Sequence, residues 1–284
     1  MKARCWINGE NMPPNHEFEV YHATNQSWKI PLFHSHDTYE FYFFIRGDMR
    51  IGIEGEIYTA TPYDMFIYPP GYMHSVIPGE SEQSYERAYF YLRQSLLERM
   101  STLSCDLSKL MNGLVAQNQL HFHLLPETFH ELVGQMDQII ANADDERSLM
   151  EVMNRSRMEI LLASCFQAIL TQSAASAPEA TTRIGKVLEY INAHFSEPLS
   201  TEILAEKFFI NKYYLMHAFK EYTNTSIHQY VMAKRIIQAQ LMIQQGVPAG
   251  ELCAKCGFGD YAGFYRAFKA RVGMTPQQYA KNYQ

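Results

Sequence analysis

Four side chains near the N-terminal end could do chemistry together: His34, His36, Glu40 and His74. The first three follow an H-x-H-x3-E spacing. Side chains alternate across a strand, so these three share one face wherever that strand is continuous. Three imidazoles and a carboxylate suit a divalent cation such as Zn, Mn, Fe or Ni. The same groups also suit the wall of a small-molecule pocket, or hydrogen bonds inside a folded core. Phe33, Tyr39, Tyr42, Phe44, Tyr68 and Tyr72 lie close in sequence. They offer either stacking surface for a sugar or aromatic ligand, or ordinary core. Cys253 and Cys256 form a single C-x-x-C without two further ligands at suitable spacing, and read as small core residues.

The elements that must position the first group are short strands. Glu40 to Ile45, Met49 to Ile53, Ile57 to Ala60 and Met65 to Tyr68 are rich in Ile, Tyr and Phe. Turn formers such as Arg46-Gly47-Asp48, Glu54-Gly55-Glu56 and Pro69-Pro70-Gly71 punctuate them, which is the pattern of an all-β sandwich or barrel over about Phe18 to Leu92. From there to Leu170 the period turns helical. Phe129, Leu132, Val133, Met136, Ile139 and Ile140 form one stripe. Leu149, Val152, Met153, Met158, Ile160, Leu161, Leu162 and Phe166 mark a second, longer helix. Residues 171–182 are small and polar with one Pro, the composition of a linker.

The second chemical signal is a repeat. Shifting the chain by 49 residues places Glu202 on Glu251, Ala205 on Ala254 and Phe209 on Phe258. Ala218-Phe219-Lys220 then falls on Ala267-Phe268-Lys269, and Gln229-Tyr230 on Gln278-Tyr279. Between 202 and 230 there are 8 identities in 29 positions, where chance gives roughly two. Each copy reads as helix, tight turn, helix, with Ser200, Asn211 and Asp260 as N-caps and Gly257 in a turn that needs positive φ. A second helix from Tyr261 to Arg271 buries Phe264 and Phe268 and leaves Arg266 and Lys269 outward. That is the helix-turn-helix plan for a major groove. Any helical bundle contains such connections; two copies at one offset, on a basic segment, raise the signal above that background.

Charge agrees. Residues 183–284 carry 12 Lys+Arg and 7 Asp+Glu, net +5, whereas residues 1–182 carry −11. A basic C-terminal part on an acidic chain suits a phosphate-facing surface. The 284 residues are enough for two cores. No apolar run approaches the ~18–20 residues of a membrane span. The first residues lack the apolar stretch of a signal peptide. Five cysteines, an odd number, fit reduced thiols in the cytoplasm.

Two resemblances follow from these residues. The run from Leu204 to Ile243, with Cys256 to Tyr279, resembles the AraC/XylS family of bacterial transcription regulators. The residues that carry it include Ala205, Leu215, Phe219, Lys220, Arg235, Gly257, Phe264, Phe268, Gly273, Pro276 and Tyr279. It implies seven helices, with two helix-turn-helix units joined by one long helix at about Ile227 to Gln244. The two recognition helices then enter successive major grooves, roughly 34 Å apart. By that resemblance the first helix presents Lys212, Tyr213, Met216, His217 and Lys220, and the second Tyr261, Ala262, Tyr265, Arg266 and Lys269. Arg266 can pair bidentately with guanine, His217 occupies the matching position in the repeat, and the lysines suit phosphates or packed helix stems. The N-terminal histidines, with Pro69-Pro70-Gly71-Tyr72-Met73-His74, resemble both cupin motifs, which implies that His74 joins His34, His36 and Glu40 from a second strand. Tyr63 and Pro78 depart from that pattern, where Gly and Asn are usual.

The expected fold is therefore an α+β two-domain chain. Residues 1–170 form a cupin-like jelly-roll β-barrel (about 18–92) with following helices (93–170), then come a linker (171–182) and an AraC-type all-α domain (183–284). The expected function is a cytoplasmic, sequence-specific transcription regulator of double-stranded DNA, an activator by resemblance. A small-molecule effector, a sugar being the class named, binds at His34, His36, Glu40, His74, Tyr42 and Tyr72. Self-association through the paired helices and contact with RNA polymerase are implied by the family, and no membrane is involved. No cofactor is required; a divalent metal at His34, His36, Glu40 and His74 is the minor reading. The rival class is a metal-dependent cupin enzyme, an isomerase or dioxygenase, with an accessory helical domain.

Overall fold

In the computed structural model the described residues are 16–25, 33–81, 84–142, 148–171 and 182–281. Residues 172–181 of the expected linker lie outside them.

The N-terminal strands are β1 (Phe18–Asn25), β2 (Tyr39–Arg46), β3 (Met49–Ile53), β4 (Glu56–Thr59), β5 (Asp64–Tyr68), β6 (His74–Pro78), β7 (Tyr85–Leu92) and β8 (His121–His123). Among them lie the helices α1 (Gln94–Met100) and α2 (Leu107–Ala116), followed by α3 (Pro126–Ala141) and α4 (Ser148–Thr171). The strands form a five-stranded sheet, β1-β7-β2-β5-β8, and a three-stranded sheet, β4-β3-β6. No ladder among the described residues joins the two into a closed barrel, so barrel closure is not part of the observed fold. β8 is also a correction. Its three residues, His-Phe-His, sit between helices and are too short for a periodic signal, yet they pair with β5 through Asp64↔His123 and Phe66↔His121.

Strand β2 organises this part because both of its faces are buried. Phe41 and Phe43 point under the helices, Phe41 stacking on Phe90 at 4.8 Å and Phe43 meeting Phe129 edge-on at 5.7 Å. Glu40, Tyr42 and Phe44 point the other way, in register with Tyr68, Phe66 and Asp64 of β5 and with Tyr91, Tyr89 and Arg87 of β7. Tyr63, in the position that a cupin motif gives to Gly, adopts φ +77. This is a left-handed backbone that bulky residues seldom adopt, and the ring packs edge-on against Phe129 and His130.

The C-terminal helices are α5 (Arg183–Ala193), α6 (Thr201–Lys207), α7 (Lys212–Thr223), α8 (Ile227–Gln244), α9 (Ala249–Lys255), α10 (Tyr261–Val272) and α11 (Pro276–Lys281). The caps are those the sequence announces. Ser200 Oγ accepts from Ile203 N, Asn211 from Tyr213 N at 2.9 Å, and Asp260 from Gly263 N at 2.7 Å. Two separate cores result, one holding Leu204, Leu215, Phe219 and Tyr230, the other Leu252, Cys256, Phe264 and Phe268. Cys256 lies in that second core, its Sγ 3.9 Å from Met242 Sδ.

The repeat is less regular than an offset of 49 implies. The second helices, α7 and α10, start 49 residues apart, but α6 and α9 start 48 apart. Burial decides the register: Leu204 matches Leu252, both fully buried, whereas Ala205 is buried and Ala254 exposed. The second turn is one residue longer and holds Gly257 at φ +75, while the first places Phe209 at φ 53. A Cβ on Gly257 would stand 2.3 Å from the Ser196 carbonyl oxygen. Gly257→Ala is therefore expected to cost about 3 kcal/mol or more, combining a left-handed alanine with a backbone clash. Gly259→Ala, with nothing within 4 Å, is the matched control, and urea denaturation compares the two.

Candidate functional site

Two surfaces emerge. The first comprises the outer faces of α7 and α10. Leu215, Phe219, Phe264 and Phe268 turn inward and are fully buried, so the residues between them must face out. Lys212, Tyr213, Met216, His217 and Lys220 are exposed, as are Tyr261, Ala262, Arg266 and Lys269; Tyr265 is half-buried. Lys212 is paired with Glu202, which raises the lysine's pKa and, through the hydrogen bond from Lys212, lowers that of Glu202 to about 2. His217 lies 3.8 Å from Glu221. Among the described residues Arg266, Lys220 and Lys269 are engaged in no ion pair, and their charges face solvent. Tyr214, 58% exposed on the first turn of α7, belongs to the same surface and was missed. Its signal was its place directly after Tyr213.

The second surface is the histidine cluster. The strand expected to carry His34, His36 and Glu40 together is broken: β2 begins only at Tyr39, and 37–38 form a bend. The bend nevertheless returns His36 to Glu40, Nε2 to Oε2 2.9 Å. His74, at the start of β6, brings its Nε2 to 3.4 Å from the same oxygen, without hydrogen-bond geometry. His36, Glu40 and His74 are buried and offer ligand atoms that all lie within 4.8 Å of one another. His34 stands beside them, its ring 4.4 Å from that of His74, but contributes no atom to this group. Burial opposes ionisation of Glu40, yet its contacts with His36 and His74 prevail and hold its pKa at about 2. Burial also lowers the pKa of His74.

Of the two tyrosines expected at the site, Tyr42 is buried, with its hydroxyl against that of Tyr85. It helps Phe44, Phe66 and Tyr68 fill the space between the sheets. Tyr68 stacks on His74 at 4.1 Å. Tyr72 faces elsewhere: its carbonyl accepts from His74 Nδ1, while its ring lies 5.7 Å from Lys234 Nζ.

That lysine belongs to a contact that sequence reasoning missed. Lys234, on α8, is 4% exposed. Its Nζ donates to Glu54 Oε1 at 2.7 Å and to the Gly71 carbonyl at 2.9 Å. Asn192 of α5 and Tyr222 of α7 donate to the carbonyls of Glu54 and Gly55. At the far end of α8, Gln244 Nε2 and the Tyr279 hydroxyl of α11 both donate to Asp37 Oδ2, at 2.6 and 2.7 Å. Gly71 and Gly55, both at positive φ, permit the approach, since a Cβ on either would stand 2.7 Å from Leu241 Cδ1 or Gly185 O. The sequence signal was a helix apolar on nearly every side, with Val231, Met232, Ile236 and Ile237 spread around it; the burial of Lys234 and Gln240 is visible only in the structure. Such a helix needs a second cover.

Comparisons with known proteins place both surfaces in a family context. A helix-turn-helix domain model matches residues 204–282, and a model of an AraC-like ligand binding domain matches residues 15–153. An uncharacterised helix-turn-helix transcriptional regulator, YbfI of Bacillus subtilis, is 23% identical over 88% of this chain and 86% of its own. The arabinose operon regulatory protein of Salmonella typhimurium is 25% identical over 83% of this chain and 80% of its own. Among solved structures, apo ToxT from Vibrio cholerae covers 97% of this chain and 100% of its own at 12% identity, TM-score 0.41. No helix among the described residues is long and apolar enough to cross a membrane.

Proposed function

Because the chain belongs to the AraC/XylS family of transcriptional regulators, with an AraC-like ligand binding domain ahead of a helix-turn-helix domain, we propose that it binds double-stranded DNA sequence-specifically through α7 and α10. The family and the relatives are transcriptional regulators, not enzymes. The supporting observation is the pair of capped helices with exposed Arg266, His217, Lys220 and Lys269 on a C-terminal part of net charge +5. In this reading Arg266 and His217 meet base edges, and Lys212, Lys220 and Lys269 meet phosphates. A salt titration of binding to duplex DNA tests the assignment. Lys220→Ala and Lys269→Ala should each reduce the slope of log K against log salt by about 1 and weaken all sequences alike.

In the same reading, residues 1–170 form a cupin-like sensor, 171–182 the linker and 183–284 the DNA-binding part. A small-molecule effector acts at His34, His36, Glu40 and His74 with Tyr42 and Tyr72 nearby. A sugar is the class that the name of the arabinose regulator suggests. The regulator works in the cytoplasm as an activator that recruits RNA polymerase, and it self-associates through α4. That helix has two apolar faces. Met158, Leu161, Leu162 and Phe166 are buried, while Leu149, Val152, Met153, Ile160 and Leu170 are exposed. At 100° per residue the exposed five fall within an arc of about 100°. Constitutive DNA binding, with the N-terminal part serving only association, is the second reading, favoured by the aromatic filling between the sheets. Effector that leaves DNA affinity and transcription unchanged would select it.

A further inference from the structure

A cleft of about 460 Å³ lies between α8 and α10, outside the two surfaces described above. Gln229, Met232 and Ile236 of α8 line one wall, and Ala267, Ala270 and Arg271 of α10 the other. No carboxylate is among its lining residues. Helical geometry separates the cleft from both partners already assigned. At 100° per residue, Arg271 points about 140° away from Arg266 and about 160° away from Lys269, the groups placed on the DNA face. On α8, Met232 and Ile236 each point about 160° away from Lys234, which grips the N-terminal part through Glu54. The cleft therefore faces neither the DNA groove nor the sheets.

Arg271 occupies an unusual place for a helix cation. It follows the buried Phe264 by seven positions and the buried Phe268 by three, so it continues the inward stripe of α10. Part of the side chain stays exposed, yet burial pushes the guanidinium's pKa down from its ordinary value. Among the described residues no carboxylate pairs with it. A guanidinium that has given up water without gaining an anion favours a ligand that brings one, and its fork suits a carboxylate. On the other wall, Gln229 Oε1 is used by the capping box, accepting from Ser226 N at 3.1 Å and from Thr225 Oγ1 at 3.1 Å. Its Nε2 donor is left for a ligand. The first turn of α8 adds the positive end of the helix dipole. Between these groups the floor is apolar. One guanidinium balances one negative charge, whereas a phosphate dianion would leave charge uncompensated against that floor. We propose that the cleft between α8 and α10 binds a small amphipathic carboxylate, with Arg271 and Gln229 holding the acid group and Met232, Ile236, Ala267 and Ala270 covering its apolar body. The site is separate from the effector position at the histidines, and the acid bridges the helix that follows α7 to the end of α10.

The test titrates the full chain, without DNA, with phenylacetate and with its neutral isostere phenylacetamide. The methyl resonance of Met232, assigned through Met232→Leu, is the readout. A ligand of about ten non-hydrogen atoms should bind with a dissociation constant of about 1 mM or tighter. Phenylacetamide should bind at least about 10-fold more weakly, and Arg271→Gln should weaken phenylacetate by about 10-fold or more while leaving the amide unchanged. Ala270→Leu, which fills the cleft from an exposed position, should abolish binding of both; circular dichroism confirms that each variant is folded. Hydrogen exchange in the first turn of α8 and the last turn of α10 should slow when phenylacetate is bound. No saturable shift of Met232, or equal affinity for acid and amide, overturns the proposal. So does binding of an acidic amphipathic peptide through Arg271 where phenylacetate fails, which would make the cleft a protein-docking surface. DNA affinity is measured separately in the absence of acid. Arg271→Gln should leave it unchanged, and a loss there would make Arg271 a phosphate contact and overturn the assignment. A chain that binds phenylacetate but no DNA refutes the regulator reading and leaves the acid site standing.

Discussion

Arg266→Ala should lower affinity for the preferred DNA site by roughly 5- to 150-fold, the equivalent of about 1–3 kcal/mol for a lost bidentate base contact. The loss should be confined to sites that keep the base it reads, so preference relaxes at one position while the rest of the motif is retained. The structure supports a specific effect rather than an unfolding one. Arg266 is exposed on α10, and its neighbours Phe264 and Phe268 already complete the core beneath it. Competition binding against single-base variants of the site measures this. A uniform loss across all sequences would make Arg266 a phosphate contact instead.

Val152→Glu combined with Ile160→Glu should raise the dissociation constant of the self-associated form by at least about 100-fold, or about 2.7 kcal/mol. Both side chains are about 60% exposed, at 61% and 60%, so the monomer loses little by the change. In an association through α4 each would instead be buried, contributing about 1.5–3 kcal/mol apiece. Carboxylates there would be desolvated and face like charges. Sedimentation reads the change directly, with circular dichroism confirming the fold. A native chain that is monomeric at every concentration would end the self-association reading. The operator should then be bound with unchanged affinity by the double variant.

The parts of the fold legible from sequence are those governed by local chemistry. Caps at Ser200, Asn211 and Asp260, the left-handed Gly257 and the helical stripes each depend on residues within one or two turns. The candidate DNA surface was legible for the same reason, because a buried Phe219 dictates which neighbours face out. The histidine cluster was legible in composition but not in path. An alternating strand was expected, yet a bend at 37–38 and a bridge between His34 and His74 assemble it. The illegible parts depend on distant partners. The three residues of β8 exist as a strand only because β5 offers an edge. Lys234 reads as an ordinary basic helix residue until Glu54, 180 positions away, covers it. The one-residue error of register over α6 and α9 arose because identities at Glu202 and Ala205 outweighed burial, which only the structure displays.

The most direct measurement is selection from a random pool of duplex DNA by the full chain at moderate salt, followed by footprinting. The expected result is an enriched motif with two contacted blocks about one helical turn apart, roughly 10–10.5 base pairs, one for α7 and one for α10. Enrichment of no sequence, or of a single block unaffected by changes in α7, would contradict it.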